Sequence, residues 1–182
     1  MVQRLAVIKT AWSDTYRGGP VEGDFKFVDE HKEGHERFNF QPGPGGRFYG
    51  YLPPIGDGAV PKPLNADGWL LAFVAKRPKK AGLYLVGWYE DASFQPTYQQ
   101  RPEYDSTAGF VVDRKGDRFV YCIEATKAFL IPRADRKFKF KGDRIKSTPI
   151  AYLKGGKRDD PWRHQLADAL VSEIKRVKSE RT

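Results

Sequence analysis

One cysteine, one methionine and three histidines are all that 182 residues contain of these types. A lone thiol at Cys122 cannot close an internal disulfide, which fits a reducing cytoplasm. Long apolar runs are also missing. The best candidate, residues 69–75, stops at Lys76 and Arg77, far short of the roughly 20 residues a membrane helix needs. The amino end carries an early Arg4, an apolar stretch too short for a secretory leader and no small-residue cleavage site. A soluble, cytoplasmic protein is expected.

Catalytic signatures are equally scarce. There is no Gly-x-Ser-x-Gly elbow, and the glycine pairs at 18–19, 45–46 and 155–156 lack the spacing that wraps phosphates, so nucleotide hydrolysis is unsupported. Cys122 stands mid-strand among apolar neighbours, the setting of an inert buried thiol. His31 and His35 are four apart, as a helical metal site would have them, but Gly34 lies between and no further His or Cys is near. They read as exposed polar residues. A divergent metal-dependent nuclease using Asp113, Asp117 and Glu124 is the enzymatic rival. Against it, Glu124 and Lys127 are three apart and face opposite sides of a strand, where a nuclease core sets its acid and lysine two apart. No catalytic residue, metal ligand or cofactor is assigned.

What the chain does have is aromatic mass and positive charge. Twelve Phe, nine Tyr and four Trp suffice for one domain's core. The formal net charge of +9 arises entirely after residue 75: residues 1–75 hold 8 Lys/Arg against 9 Asp/Glu, and residues 76–182 hold 24 against 14. Residues 133–158 are densest, with ten basic side chains against Asp135 and Asp143. Such a surface faces polyanions, nucleic acid foremost. A solvated face that only maintains solubility is the plain alternative.

Periodicity predicts strands over residues 2–9, 69–75, 82–89 and 117–125, a hairpin of residues 36–40 with 47–52, and loops over 12–20, 55–66 and 94–109. A helical turn is expected at 27–31. Residues 137–141 alternate Lys and Phe, placing Phe inward. After Gly155 and Gly156, Asp160 and Pro161 open a helix whose stripe is Trp162, Leu166, Leu170, Ile174 and Val177. The fold class expected is α+β: a small, mainly β barrel over residues 1–153, with peripheral helices, and a basic C-terminal amphipathic helix over 154–182 packed on the barrel or on a partner.

The segment Trp12-Ser13-Asp14-Thr15-Tyr16-Arg17-Gly18, then Gly34-His35-Glu36-Arg37-Phe38-Asn39-Phe40, Arg47-Phe48-Tyr49-Gly50-Tyr51-Leu52, Val86-Gly87-Trp88-Tyr89 and Tyr121-Cys122-Ile123-Glu124-Ala125 occur in that order. This succession resembles the N-terminal domain of bacterial proteins that carry a C-terminal HNH endonuclease module, over about residues 5–153. The strand, turn and Val-Gly-Trp-Tyr pattern is also similar to the PUA-like superfamily, with its EVE and YTH domains, which are β barrels that read modified bases. No HNH motif follows residue 153, so the chain resembles the reader without the cutter.

The resemblance implies a module that recognises modified DNA in restriction or a related defence system, with a nuclease module or subunit as a further partner and RNA as an alternative ligand. A flipped base costs a few kcal/mol to extrude, and stacking returns roughly 1 to 3 kcal/mol per base. The base pocket is therefore expected among Trp12, Ser13, Asp14, Tyr16, His35, Asn39, Trp88 and Tyr89. Arg17, Lys76, Arg77, Lys79, Lys80, Lys137, Lys139 and Lys141 are expected to hold phosphates. Trp69, Phe73 and Tyr84 are assigned to the core.

Overall fold

The computed structural model describes residues 4–22, 34–105, 109–110, 112–145 and 148–181. Strand β3 (Trp69–Lys76) buries every residue except its final lysine. Trp69, Leu71, Phe73 and Ala75 join one apolar cluster with Ile8, Phe40, Tyr84 and Tyr89. Leu70, Ala72 and Val74 join another with Leu5, Val7, Leu85 and Trp88. A run without polar alternation is what a strand covered on both faces requires.

Around β3, strand β1 (Arg4–Lys9) runs parallel to it and antiparallel to β10 (Ile150–Lys154). On the other side lies β4 (Leu83–Gln100), followed along the sheet by β7 (Val120–Ala125) and β2 (Phe48–Gly50). Strands β8 (Lys127–Leu130) and β9 (Lys139–Phe140) also pair with β4. A separate ribbon joins β5 (Tyr104–Asp105) to β6 (Gly109–Phe110). Within β4 the register slips between the pairs Phe73 with Gly87 and Val74 with Leu85. The extra residue shifts the alternation, so Leu85 and Trp88 share one cluster while Val86 and Tyr89 share the other.

Helix α1 (Pro161–Ser179) lays Ala167, Leu170, Ile174 and Val177 on the second cluster, with Trp162 and Leu166 at its margin. Each fully buried Leu, Ile or Val side chain contributes about 1.5–3 kcal/mol, enough to hold the helix to the sheet. Asp160 occupies the cap position without capping the backbone; its carboxylate accepts instead from Arg163 Nε at 2.8 Å.

Several expectations are corrected. The architecture is α+β, but the sheet is not closed into a barrel: β10 and β2 end the strand path and do not pair with each other. The helix covers one face, and residues from 12–16 and 40–60 cover the other. Residues 35–38 form a 3-10 turn rather than a hairpin arm, and β2 pairs with β7. Residues 94–100 extend β4 although they contain Pro96. The ladder with β7 breaks between Phe94 and Gln99, so the proline costs no ladder bond. The helical turn expected at 27–31, with His31, lies outside the described residues. Cys122 is buried, and burial pushes its thiol pKa up to about 12. No helix among the described residues is long and apolar enough to cross a membrane.

Candidate nucleic-acid interface

Residues 12–22 form a loop closed by its ends: the backbones of Trp12 and Glu22 exchange hydrogen bonds of 2.6 and 2.7 Å. Inside it, Ser13 Oγ accepts from the Tyr16 amide at 3.0 Å. That turn holds Tyr16 at a φ of 49°. The Tyr16 hydroxyl donates to the Ala11 carbonyl at 2.7 Å, and burial raises its pKa far above the ordinary tyrosine value. Trp12 Nε1 donates to Asp14 at 3.3 Å. Arg136, only 2% exposed, locks the loop to the opposite segment by donating to the carbonyls of Ile131, Ser13 and Asp14 at 2.9, 2.6 and 2.8 Å. Its guanidinium carbon lies 4.9 Å from the Trp12 ring and 5.5 Å from the Tyr16 ring.

The rings expected to line a base slot serve the interior. Trp12 is 4% exposed, and Tyr16, Trp88 and Tyr89 are fully buried. Trp12, Tyr16 and Tyr89 belong to one cluster, whereas Trp88 lies on the helix-covered side, stacked on Phe129 at 5.1 Å. Rings so covered cannot wall an open slot, and these are not gathered on one face. Ser13 and Asn39 are buried as well. Asn39 Oδ1 accepts from the Tyr51 amide at 2.8 Å, and its own carbonyl accepts from the Tyr89 hydroxyl. His35 Nδ1 accepts from the Val120 amide at 3.1 Å, with its ring 4.7 Å from Tyr51. An acceptor role at Nδ1 puts the neutral ring's proton on Nε2. Asp14 alone of the eight is exposed.

The expected phosphate contacts are brought together more closely. Lys79 and Lys80 lie exposed on the turn between β3 and β4, and Lys76 is exposed at the end of β3. Strand β9 docks beside that turn, with Tyr84 opposite Lys139, Leu83 opposite Phe140, and the Leu85 amide donating to the Phe138 carbonyl at 3.1 Å. Phe138 and Phe140 pack on the second cluster, which leaves Lys137, Lys139 and Lys141 exposed. Contact is close: a Cβ at Gly82 would stand 3.0 Å from the Lys139 stem. Arg77 is half-buried, 6.0 Å from the Trp12 ring. Arg17 is exposed on the 12–22 loop.

A small cleft of about 150 Å³ lies at the junction, lined by Trp12, Asp14, Glu22, Arg77, Pro78 and Arg133. Arg133 pairs with Asp14 across 2.9 Å. The volume falls below the roughly 300 Å³ at which small-molecule pockets begin. Arg133 and Arg136 both fall in the basic run of residues 133–158, and nothing in their spacing marks one as a cleft wall and the other as buried.

Two of the three carboxylates of the nuclease alternative, Asp113 and Glu124, are otherwise engaged. Asp113 Oδ1 accepts from the amides of Lys115 and Asp117 at 2.8 and 3.0 Å. Glu124 pairs with Arg47 at 3.0 Å and accepts from the Tyr121 hydroxyl at 2.9 Å. Seven residues of extended chain put Asp117 and Glu124 roughly 20 Å apart. Among the described residues no three His, Cys, Asp or Glu side chains gather as a metal site would require. Compared with family models, with curated proteins and with solved structures, the chain matches none, which leaves its own surface chemistry as the guide to function.

Proposed function

We propose that the chain is a nucleic-acid-binding module that grips the sugar-phosphate backbone along the edge formed by the β3–β4 turn and β9. The observation that carries this reading is the docking of the Lys79 and Lys80 turn against the strand presenting Lys137, Lys139 and Lys141. Cations separated by more than 50 residues in sequence thereby act as one stripe, and clustered Lys and Arg supply the dominant, sequence-independent part of nucleic-acid affinity.

Recognition of a modified DNA base, in a restriction or defence setting, rests on the ordered resemblance of about residues 5–153 to reader domains. Base contact is assigned to the Trp12, Asp14, Arg77 and Arg133 cleft, beside the stripe. An extruded base needs more room than about 150 Å³, so the Asp14–Arg133 pair opens on binding. Opening this exposed pair costs less than about 1 kcal/mol and frees the Asp14 carboxylate and the Arg133 guanidinium, beside Arg77, to hydrogen-bond a base edge.

Fluorescence anisotropy at fixed salt tests this with plain, methylated and hydroxymethylated duplexes of one sequence and with the matching RNA. Tighter binding of one modified duplex is expected. Equal affinity for every DNA duplex removes modification reading, tightest binding of RNA reassigns the ligand, and no binding to any overturns the proposal.

A further inference from the structure

Between β10 and α1 the chain turns on Gly155 and Gly156. Gly155 has a φ of +82°, and a Cβ on Gly156 would stand 2.6 Å from the Tyr152 Cβ. The loop can lie against Tyr152 at Gly156 and against Arg4 at Gly155 because both positions lack a side chain. This loop and residues 62–64 border a cavity of about 570 Å³, within the usual size of small-molecule sites.

Its lining is predominantly cationic: among the described residues Lys62, Arg144, Lys157, Arg158 and Arg163 border it, against one nearby carboxylate, Asp160, which pairs with Arg163 and whose pKa Arg158 and Arg144 also lower. Lys62, Arg144, Lys157 and Arg158 form no ion pair within 4 Å of a described carboxylate. Arg163, 9% exposed, is held in place by Asp160 at 2.8 Å and by the Tyr152 carbonyl at 2.5 Å. A solubilising surface intersperses both signs, whereas like charges in a concavity focus a field that concentrates anions. The remaining wall is apolar, from Pro63, Leu64 and Ile150. Leu64, at 67%, is the most exposed large apolar side chain among the described residues.

A bare inorganic anion would leave that apolar wall idle, and a duplex is too wide to enter. We propose that the cavity binds a nucleoside polyphosphate group, phosphates toward Lys157, Arg158 and Arg163 and base toward Leu64. The same chemistry is carried by a free nucleotide and by the 5′-triphosphate end of a single strand. No residue is shared with the lysine stripe, so the inference goes beyond duplex binding and stands without it.

Titration calorimetry of the full chain decides it, using ATP, inorganic triphosphate, adenosine, and one oligonucleotide with either a 5′-triphosphate or a 5′-hydroxyl end. ATP is expected to bind one-to-one, at least tenfold more tightly than triphosphate or adenosine. Affinity should fall at least tenfold in the Lys157→Gln/Arg158→Gln variant and hold in Lys137→Gln/Lys139→Gln/Lys141→Gln. If the triphosphate-ended strand loses affinity in the first variant as ATP does, the natural source includes a strand end; if only ATP does, it is the free nucleotide. Absence of saturable ATP binding, equal losses in both variants, or triphosphate or adenosine binding as tightly as ATP would each overturn the proposal.

Discussion

Arg136 and Ser13 lie 123 residues apart in sequence, and the guanidinium Nη1 of one donates to the carbonyl of the other across 2.6 Å. The same side chain satisfies the Ile131 and Asp14 carbonyls, so it joins the first loop to the segment before β9. Replacing it by Met keeps the stem and strands three acceptors without their donor. Arg136→Met is expected to lose about 3 kcal/mol of unfolding free energy, read from the urea midpoint. A loss under about 0.5 kcal/mol would show that the loop needs no such tie.

Glu36 gives a pH signature. Burial raises its carboxyl pKa above the ordinary 4.5, opposed by hydrogen bonds from its own amide and that of Ala11. Below pH 4.5 the carboxyl is protonated in both folded and unfolded chains, and no penalty exists. As pH rises past 4.5 the unfolded chain ionises first, so this contribution to stability falls until the folded pKa is passed. Glu36→Gln removes the titration. Denaturation midpoints measured from pH 4 to 8 should show the wild type falling steadily relative to the variant; parallel curves would refute the raised pKa.

The lysine stripe predicts a salt dependence. Each phosphate neutralised on duplex DNA contributes about 0.9 to the slope of log affinity against log salt. In Lys137→Gln/Lys139→Gln/Lys141→Gln that slope should shrink by up to about 3. Thermal stability should change by no more than about 0.5 kcal/mol, because all three side chains are exposed. An unchanged slope would move the phosphate contacts elsewhere on the surface.

Gly87 sits where two segments nearly touch. A Cβ there would meet the Phe129 carbonyl oxygen at 2.5 Å and the Phe40 ring at 2.6 Å. The first neighbour is backbone in the facing strand, so relief requires moving β8 itself. Gly87→Ala should destabilise by about 3 kcal/mol, visible as a drop of several degrees in the calorimetric Tm. An unaltered Tm would mean that β8 yields freely.

Much of the scaffold was legible because periodicity reports burial. The runs at 69–75 and 82–89 became β3 and the first half of β4, and the Lys-Phe alternation of 137–141 did place its phenylalanines inward. Failures occurred where distant partners decide. The 36–40 segment looks like a hairpin arm, yet Asn39 spends its amide on the Tyr51 backbone and Glu36 turns inward. Trp12 and Tyr16 look like loop aromatics because their spacing is irregular; Arg136, more than a hundred residues away, is what makes burying them beside three carbonyls affordable. The cavity at Gly155 and Gly156 was visible only as the break before the helix, since its far wall comes from residues 62–64.

β4 hydrogen-bonds to four different neighbours: β3, β9, β8 and β7. One residue inserted or deleted between Leu83 and Ser93 would rotate the remainder of the strand by half a pleat and misalign several ladders at once, exchanging the aromatic side for the helix side. Natural length variation in relatives of this chain should therefore collect at the 77–82 turn and at 95–98, where the pairing already pauses. The first of these sites carries part of the cationic edge, so a change in loop length there would retune ligand grip while leaving the architecture intact.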